Sequence, residues 1–350
     1  MGKFIKGGTI EMSNPPTIKS YAAAVGKKEG EGTFGHCFDY VGEDVTFGQD
    51  SWEKSERELQ KKAFSLALQK TSLTESDIDL LFAGDLLNQC ITSGYSARDY
   101  EIPFIGLYGA CSTMAESLAL AAVFAENGLC QNVAALTSSH YCTAERQFRF
   151  PVNYGGQRTP TSQWTATASG CAIVSPRDCA SDSNSQSPCV RSVTFGKVKD
   201  YGIKDANNMG AAMAGAAHDT ISTHLANTGK TIDDFDCIVT GDLGLVGSEV
   251  LYDLFDKDKI NLKKNHKDCG LMMYDLKSQD VHSGGSGCGC AAGILCGHFL
   301  NEIACGNIKD ILFTATGALL SPMIVQQGES IPGVAHCLHI SSYIEPKKGV

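Results

Sequence analysis

Cys111 has the strongest local case for chemistry in this chain. It stands in "GACST", between a short apolar run, Ile102–Tyr108, and a segment whose Leu118, Ala121, Ala122 and Ala125 recur at helical spacing. Thr113 and Glu116 fit a capping box that opens this helix, and Gly128 ends it. A thiol on a strand-to-helix turn faces unpaired amide N–H groups, which favour its reactive thiolate. The small neighbours Gly109, Ala110 and Ser112 leave room for a substrate. The competing reading is a small core residue in a tight turn, in a chain with fifteen cysteines. A second group is polar: Arg146, Arg149 and Arg158 lie within thirteen residues, beside His140, Gln147, Tyr154, Gln163 and Trp164. Arginine forks bind carboxylates bidentately, and aromatic faces stack on flat rings. The same arginines also suit surface ion pairs or a subunit contact.

The elements that must position these residues are duplicated. "DIDLLFAGDL" (Asp77–Leu86) returns as "DFDCIVTGDL" (Asp234–Leu243), with five identities in ten positions. Each copy follows an amphipathic helical pattern, Trp52–Lys70 or Ala211–Asn227. Each precedes a Gly-rich turn, a second helix and an apolar strand, with Gly109 and Gly128 answering to Gly287 and Gly306. Repeated halves predict a pseudo-two-fold α/β structure. The halves are placed at 1–180 and 190–350, divided by the polar stretch Pro176–Cys189. Cys111 should then sit at a helix N-terminus opposite Gly287–Gly289.

Composition narrows the function classes. The chain has 350 residues, 43% hydrophobic and 19% charged, with formal charge −10, the make-up of one large or two medium globular domains. An acidic balance counts against a nucleic-acid partner, whose phosphates call for a basic face. Apolar runs fall short of the ~20 residues of a membrane span. "MGKFIKGGTIEMSNPP" has no apolar core of signal-peptide length. An odd number of scattered cysteines fits a reducing compartment, so cytoplasmic synthesis without a signal peptide is expected.

A cysteine on a strand-to-helix elbow in a duplicated α/β chain is similar to the thiolase and β-ketoacyl synthase superfamily. The blocks "FGQDSWEKSERELQ", "AGDLLNQ", "TSSHYCTAERQFRFPVNYGGQRTPTSQWT", "NMGAAMAGAAHDTI", "GGSGCGC" and "TGALLSP…QQGESIPGVAHC" more closely resemble the stage V sporulation protein AD family, from about Ile10 to Ile340. This resemblance implies a thiolase-like, five-layered α/β/α/β/α fold and a homodimer. It also implies binding of dipicolinic acid, with or without calcium, and support of its uptake into the developing spore. The expected place is the periphery of the spore inner membrane, beside integral membrane sporulation proteins of the same transport system. Dipicolinate is a flat pyridine with two carboxylates, which suits His140, Arg146, Arg149, Gln163 and Trp164 as ligand-binding residues.

The departures from the superfamily concern the partners of Cys111. Its condensing enzymes pair the cysteine with a histidine and with an asparagine or second histidine. By the repeat, the first belongs after "CIVT", where Gly241 and Asp242 stand, and the second in "SGGSGCGC", where Gly284 and Gly285 stand. Cys111 is thus expected to hold a vestigial nucleophile position, with no histidine of the second half in reach; His282 is the nearest in sequence. The alternative is an acyltransferase acting on an acyl-CoA or acyl-carrier thioester through Cys111; a third is a scaffold with an inert pocket. Asp85 and Asp242 are expected to cap turns, and His218 and His224 to decorate a helix. Cys296 and His298 lack the paired spacing of zinc ligands, and "GGSGCG" lacks the dinucleotide order. Neither a metal nor a cofactor is called for.

Overall fold

The computed structural model describes residues 2–148, 157–177 and 187–342; Arg149, Tyr154 and part of the expected boundary, residues 178–186, lie outside them. In the first half the main strands are β1 (Thr17–Val25), β2 (Leu80–Gly84), β3 (Phe104–Gly106), β4 (Val133–Ser139) and β5 (Ala168–Ser175). In the second they are β6 (Pro188–Phe195), β7 (Cys237–Thr240), β8 (His266–Asp268), β9 (Asp310–Ala318) and β10 (Gly333–Ser342). They form one path, β8-β7-β9-β10-β6-β1-β5-β4-β2-β3. Outward from the centre, one half reads 1-5-4-2-3 and the other 6-10-9-7-8, so a pseudo-two-fold axis passes between β1 and β6. The outer three strands of each half pair in parallel, and the remaining neighbours are antiparallel.

The symmetry reaches single hydrogen bonds. Thr74 and Asp77 form a capping box before β2, as Thr231 and Asp234 do before β7. Asp79 accepts the amides of Gln131 (2.6 Å) and Asn132 (3.0 Å), and Asp236 accepts those of Lys309 (2.7 Å) and Asp310 (3.1 Å). Each carboxylate thus ties one strand start to the next and satisfies amides that no ladder bond serves.

Helices fill three layers around the sheet. α1 (Trp52–Gln69), capped by Ser51 at 3.4 Å from the Lys54 amide, packs on β1 and β5. α2 (Thr113–Glu126) touches strands of both halves. α3 (Tyr141–Phe148) follows β4. α4 (Met209–Thr228), capped by Asn208, covers β9 and β10. α5 (Cys288–Ile294), all seven residues buried, lies against β1, β4 and β5. α2 and α5 are built largely of alanine, glycine and other small residues, which lets them lie between two sheet faces. Among the described residues four buried apolar clusters result, one central around α2 and α5, one under each outer helix, and a small one of Leu86, Cys111, Ala144 and Cys288. The architecture is the five-layered α/β/α/β/α arrangement.

Candidate functional site

Cys111 lies in a one-turn 3-10 segment, Ala110–Ser112, that runs into α2. The turn is tight: Ala110 takes φ +50°, a conformation disfavoured for a residue with a side chain. Ser112 Oγ donates to Gly109 O at 2.6 Å, and Thr113 Oγ1 donates to Ala110 O at 2.7 Å and accepts the Gly109 amide at 3.1 Å. The capping box expected of Thr113 and Glu116 does not form, because the threonine hydroxyl is already used upstream. Gly317 of β9 lies so close to the Gly109 carbonyl that a Cβ would overlap it. The cysteine turn is therefore pressed onto the other half of the molecule.

The facing turn begins at Gly287, where φ is +102° and a Cβ would stand 2.7 Å from Ser139 Oγ. Its amide and the Ser286 hydroxyl both donate to Asp242 and lie near enough to Cys111 to ease its ionisation. The Asp242 carboxylate is the charged group that acts on this thiol, and no histidine does so among the described residues. Burial first, and the Asp242 charge second, hold this thiol well above its ordinary pKa; the Gly287 amide and Ser286 hydroxyl offset this in part. The thiolate-favouring field expected of the helix start is overruled, because burial, and after it the Asp242 charge, outweigh a few partial positive charges.

Asp242 has a different role from the turn cap expected of it. The side chain is buried and accepts Gly287 N–H at 2.8 Å, Thr316 Oγ1–H at 2.9 Å and Ser286 Oγ–H at 3.2 Å. Burial pushes its carboxyl up to about 7, while the Gly287 amide and the Cys111 thiol pull it back. Its repeat counterpart Asp85 does cap a turn, accepting the amides of Leu87 (2.9 Å) and Ser93 (2.8 Å) and the Ser93 hydroxyl (2.7 Å). His282, at φ +51°, turns to Asp280 at 3.2 Å. His224, expected on a helix surface, is buried against Ser192 and Thr194. Cys296 donates to Cys171 O at 3.6 Å, and His298 packs edge-on to Phe34 and Phe299.

A narrow, partly enclosed cleft opens onto Cys111. Leu86, Tyr108, Phe148, Met209 and Leu320 make its walls apolar, and Glu145 is the one charged side chain among the described lining residues. Arg146 does not line it; this exposed guanidinium pairs with Glu53. His140 is buried, with Nε2 at 2.8 Å from the Val45 carbonyl and Nδ1 accepting the Cys142 amide at 3.1 Å. Burial lowers its pKa and keeps it neutral. Gln163 is structural in effect: its amide nitrogen donates to the carbonyls of Asp242 and Gly285, both at 2.7 Å, and so fastens the Asp242 loop to the glycine turn.

Trp164 leaves the cleft altogether. Trp164–Thr165 pairs with Gly285–Ser286; Thr165 and Ser286 line the cleft, and strand alternation turns Trp164 to the reverse side. There its ring stacks on Tyr141 (centroids 3.9 Å apart, planes at 12°). Lys28 Nζ lies 3.9 Å and Arg158 Cζ 4.8 Å from its centroid. The sequence brought Arg158 and Trp164 under suspicion together. Lys28, in "GKKEG", belongs to no motif, and only the fold of the β1 end delivers it.

The family model for stage V sporulation protein AD matches residues 7–341. Stage V sporulation protein AD of Bacillus subtilis (strain 168) is 44% identical over 330 residues, covering 94% of this chain and 95% of that protein. Among solved structures, 3-oxoacyl-[acyl-carrier-protein] synthase III from Aquifex aeolicus VF5 superposes with a TM-score of 0.54 at 13% identity, over 93% of this chain and 99% of that one. The acetamide-bound OleA of Xanthomonas campestris gives a TM-score of 0.58 at 10% identity, over 93% of this chain and 98% of that one. At such identities the likeness to these two structures is one of fold.

Proposed function

Because the chain belongs to the stage V sporulation protein AD family, we propose that it is a non-condensing protein of thiolase-like fold that binds dipicolinic acid and supports its uptake into the developing spore. The observation that carries the non-condensing part is the buried Asp242 carboxyl beside Cys111, whose charge adds to burial in holding the thiol up. Carbon–carbon bond formation needs a thiolate and a donor for the thioester oxyanion. A carboxylate in the imidazole's place opposes the first and repels the second. The acyltransferase alternative is disfavoured for the same reason.

Calorimetric titration with dipicolinate, with and without calcium, tests the ligand; saturable one-site binding is expected. Incubation with acyl-CoA followed by intact-mass measurement tests the alternative. No adduct on Cys111 is expected, and a stoichiometric one would overturn the reading.

Among the described residues no helix is long and apolar enough to cross a membrane. The reading therefore assigns membrane passage to integral membrane partners of the same transport system, with this chain peripheral at the spore inner membrane. For self-association it takes the free edge of β3. Phe104, Ile105 and Gly106 are all exposed, and Tyr108 and Ile91 extend the apolar patch. An unpaired apolar edge invites pairing with another strand, and two copies of β3 related by a two-fold axis would pair antiparallel. Light scattering is expected to find a dimer that Ile105→Lys converts to a monomer; a dimer that survives this substitution refutes the contact.

A further inference from the structure

Resting on the dipicolinate reading, we propose that Ser286 binds a ligand carboxylate in the Cys111 cleft, and does so only while Asp242 carries a proton. Dipicolinate then enters the cleft together with a proton. Ser286 has one hydroxyl hydrogen and two claims on it. The residue pairs with Thr165 in a two-stranded ladder, and both line the cleft. Its hydroxyl donates to Asp242 Oδ2 at 3.2 Å, the longest of three contacts on that carboxyl. The Gly287 amide stands 2.8 Å from the same oxygen, and Thr316 Oγ1 2.9 Å from Oδ1. An ionised carboxyl only accepts, and so holds the serine hydrogen to itself. A protonated one has an O–H to donate to Ser286 Oγ, which releases the serine hydrogen to the cleft. One proton thus removes a negative charge beside the cleft and supplies a donor to the ligand.

The surroundings of Asp242 single it out as the group that takes the proton. It is fully buried, and among the described residues it forms no ion pair. Burial, with the Asp268 charge adding to it, holds its carboxyl up to about 7. Asp268, facing it from β8, is buried too but better supplied with donors. It accepts Thr240 Oγ1–H at 2.6 Å and the amides of Leu243, Gly244 and Leu271 at 2.9, 3.0 and 3.2 Å, and titrates at about 6. The carboxyl with fewer donors holds its proton to the higher pH. The thiols facing Asp242 are Cys111 before α2, Cys269 after β8, and Cys288 and Cys290 on α5. Burial keeps all four well above their ordinary pKa, so they stay protonated in this range. The cleft itself adds Glu145 of α3 and, among its described lining residues, no cation. A carboxylate set beside an ionised Asp242 would therefore place like charges together away from water, and taking up a proton relieves this.

Dipicolinate calorimetry on the full chain from pH 6 to pH 9, run in phosphate and in Tris, tests the linkage. The two buffers release protons with different heats, so the difference in observed enthalpy counts the protons taken up. The wild type is expected to bind evenly below about pH 7 and to lose up to about tenfold in affinity per pH unit above it, with close to one proton taken up near pH 8. Asp242→Asn lacks the charge; it is expected to take up none, to bind evenly from pH 6 to pH 9, and to bind at least about tenfold more tightly than the wild type at pH 9. Ser286→Ala is expected to weaken binding at pH 6 about ten- to a hundredfold, the loss of one charge-assisted hydrogen bond. Melting curves measured alongside separate lost binding from lost fold; if Asp242→Asn does not fold, the wild-type buffer series and Ser286→Ala decide. Even wild-type binding across the range with no proton uptake overturns the proposal while the dipicolinate reading stands. So does uptake that survives in Asp242→Asn, or that is lost in Glu145→Gln instead. If the wild type binds at no pH in this range, both fall.

Discussion

Asp242→Asn is expected to speed alkylation of Cys111 by at least about tenfold at pH 8, read by iodoacetamide labelling and peptide mapping. Mapping is needed because the chain carries fifteen cysteines. In the wild type the thiol is held up first by burial and then by the Asp242 charge. A like charge within hydrogen-bond range displaces a titration by about one to three pH units, and each unit is a tenfold change in thiolate below the pKa. Asparagine keeps the shape of Asp242 and its acceptor oxygen toward Gly287 but removes the charge. The gap between variant and wild type should widen above about pH 7, where the Asp242 carboxyl ionises. Asp242→His should label faster still, since an imidazole accepts the thiol proton as a base. If Asp242→Asn labels no faster than the wild type, burial alone holds the thiol and Asp242 is not its keeper.

The second large effect concerns stability against pH. Glu56 is buried among hydroxyls: Ser138 Oγ–H donates to Oε1 at 2.8 Å and Thr143 Oγ1–H to Oε2 at 2.9 Å, and Gln60 bridges Ser93 and Ser138. Burial, and then the neighbouring Asp85, push Glu56 up to about 8, and burial pushes Asp242 up to about 7. Both folded values lie above the unfolded ones, so their contribution is fully present below the unfolded pKa and is lost as pH rises through the folded pKa. Their share of the melting temperature should therefore fall between about pH 5 and pH 8, and shows most plainly above about pH 7, where the opposite contribution of the buried neutral histidines is already complete. At about 1.4 kcal/mol for each displaced pH unit, Glu56 alone is worth a few kcal/mol, or roughly 5 °C in a chain of this size. Glu56→Gln is expected to flatten the upper part of this slope and to melt above the wild type at pH 8–9. Calorimetric melts across pH 5–9 decide it; parallel profiles for variant and wild type would show that Glu56 stays ionised throughout.

Much of the frame was legible without coordinates. The identities between Asp77–Leu86 and Asp234–Leu243, with glycines at matching places, specified the duplication. Helical spacing after Cys111 and the matching Gly-rich turn at Gly287 specified the second helix of each half. These are local signals: period, turn chemistry and side-chain size act within a few residues, and the pseudo-two-fold sheet follows from burying two like halves against each other. The absence of histidine after "CIVT" was equally plain, since it needed only the repeat.

What replaced the histidine was not plain. Asp242 reads as one more turn-capping aspartate, identical in context to Asp85, and only its burial against the other half's Cys111 distinguishes the two. Charge effects depend on distance and on exclusion of water, and neither is written in spacing along the chain. The arginine-rich stretch divided for the same reason. Arg146 found Glu53 on α1, Trp164 was turned to the far side of its strand by alternation, and Arg158 joined it there beside Lys28, a residue from the end of β1. The sequence by itself determined the layers, the repeat and the place of the thiol. The tertiary structure alone decided which charges meet, because those contacts join residues from distant strands and helices that no local rule brings together.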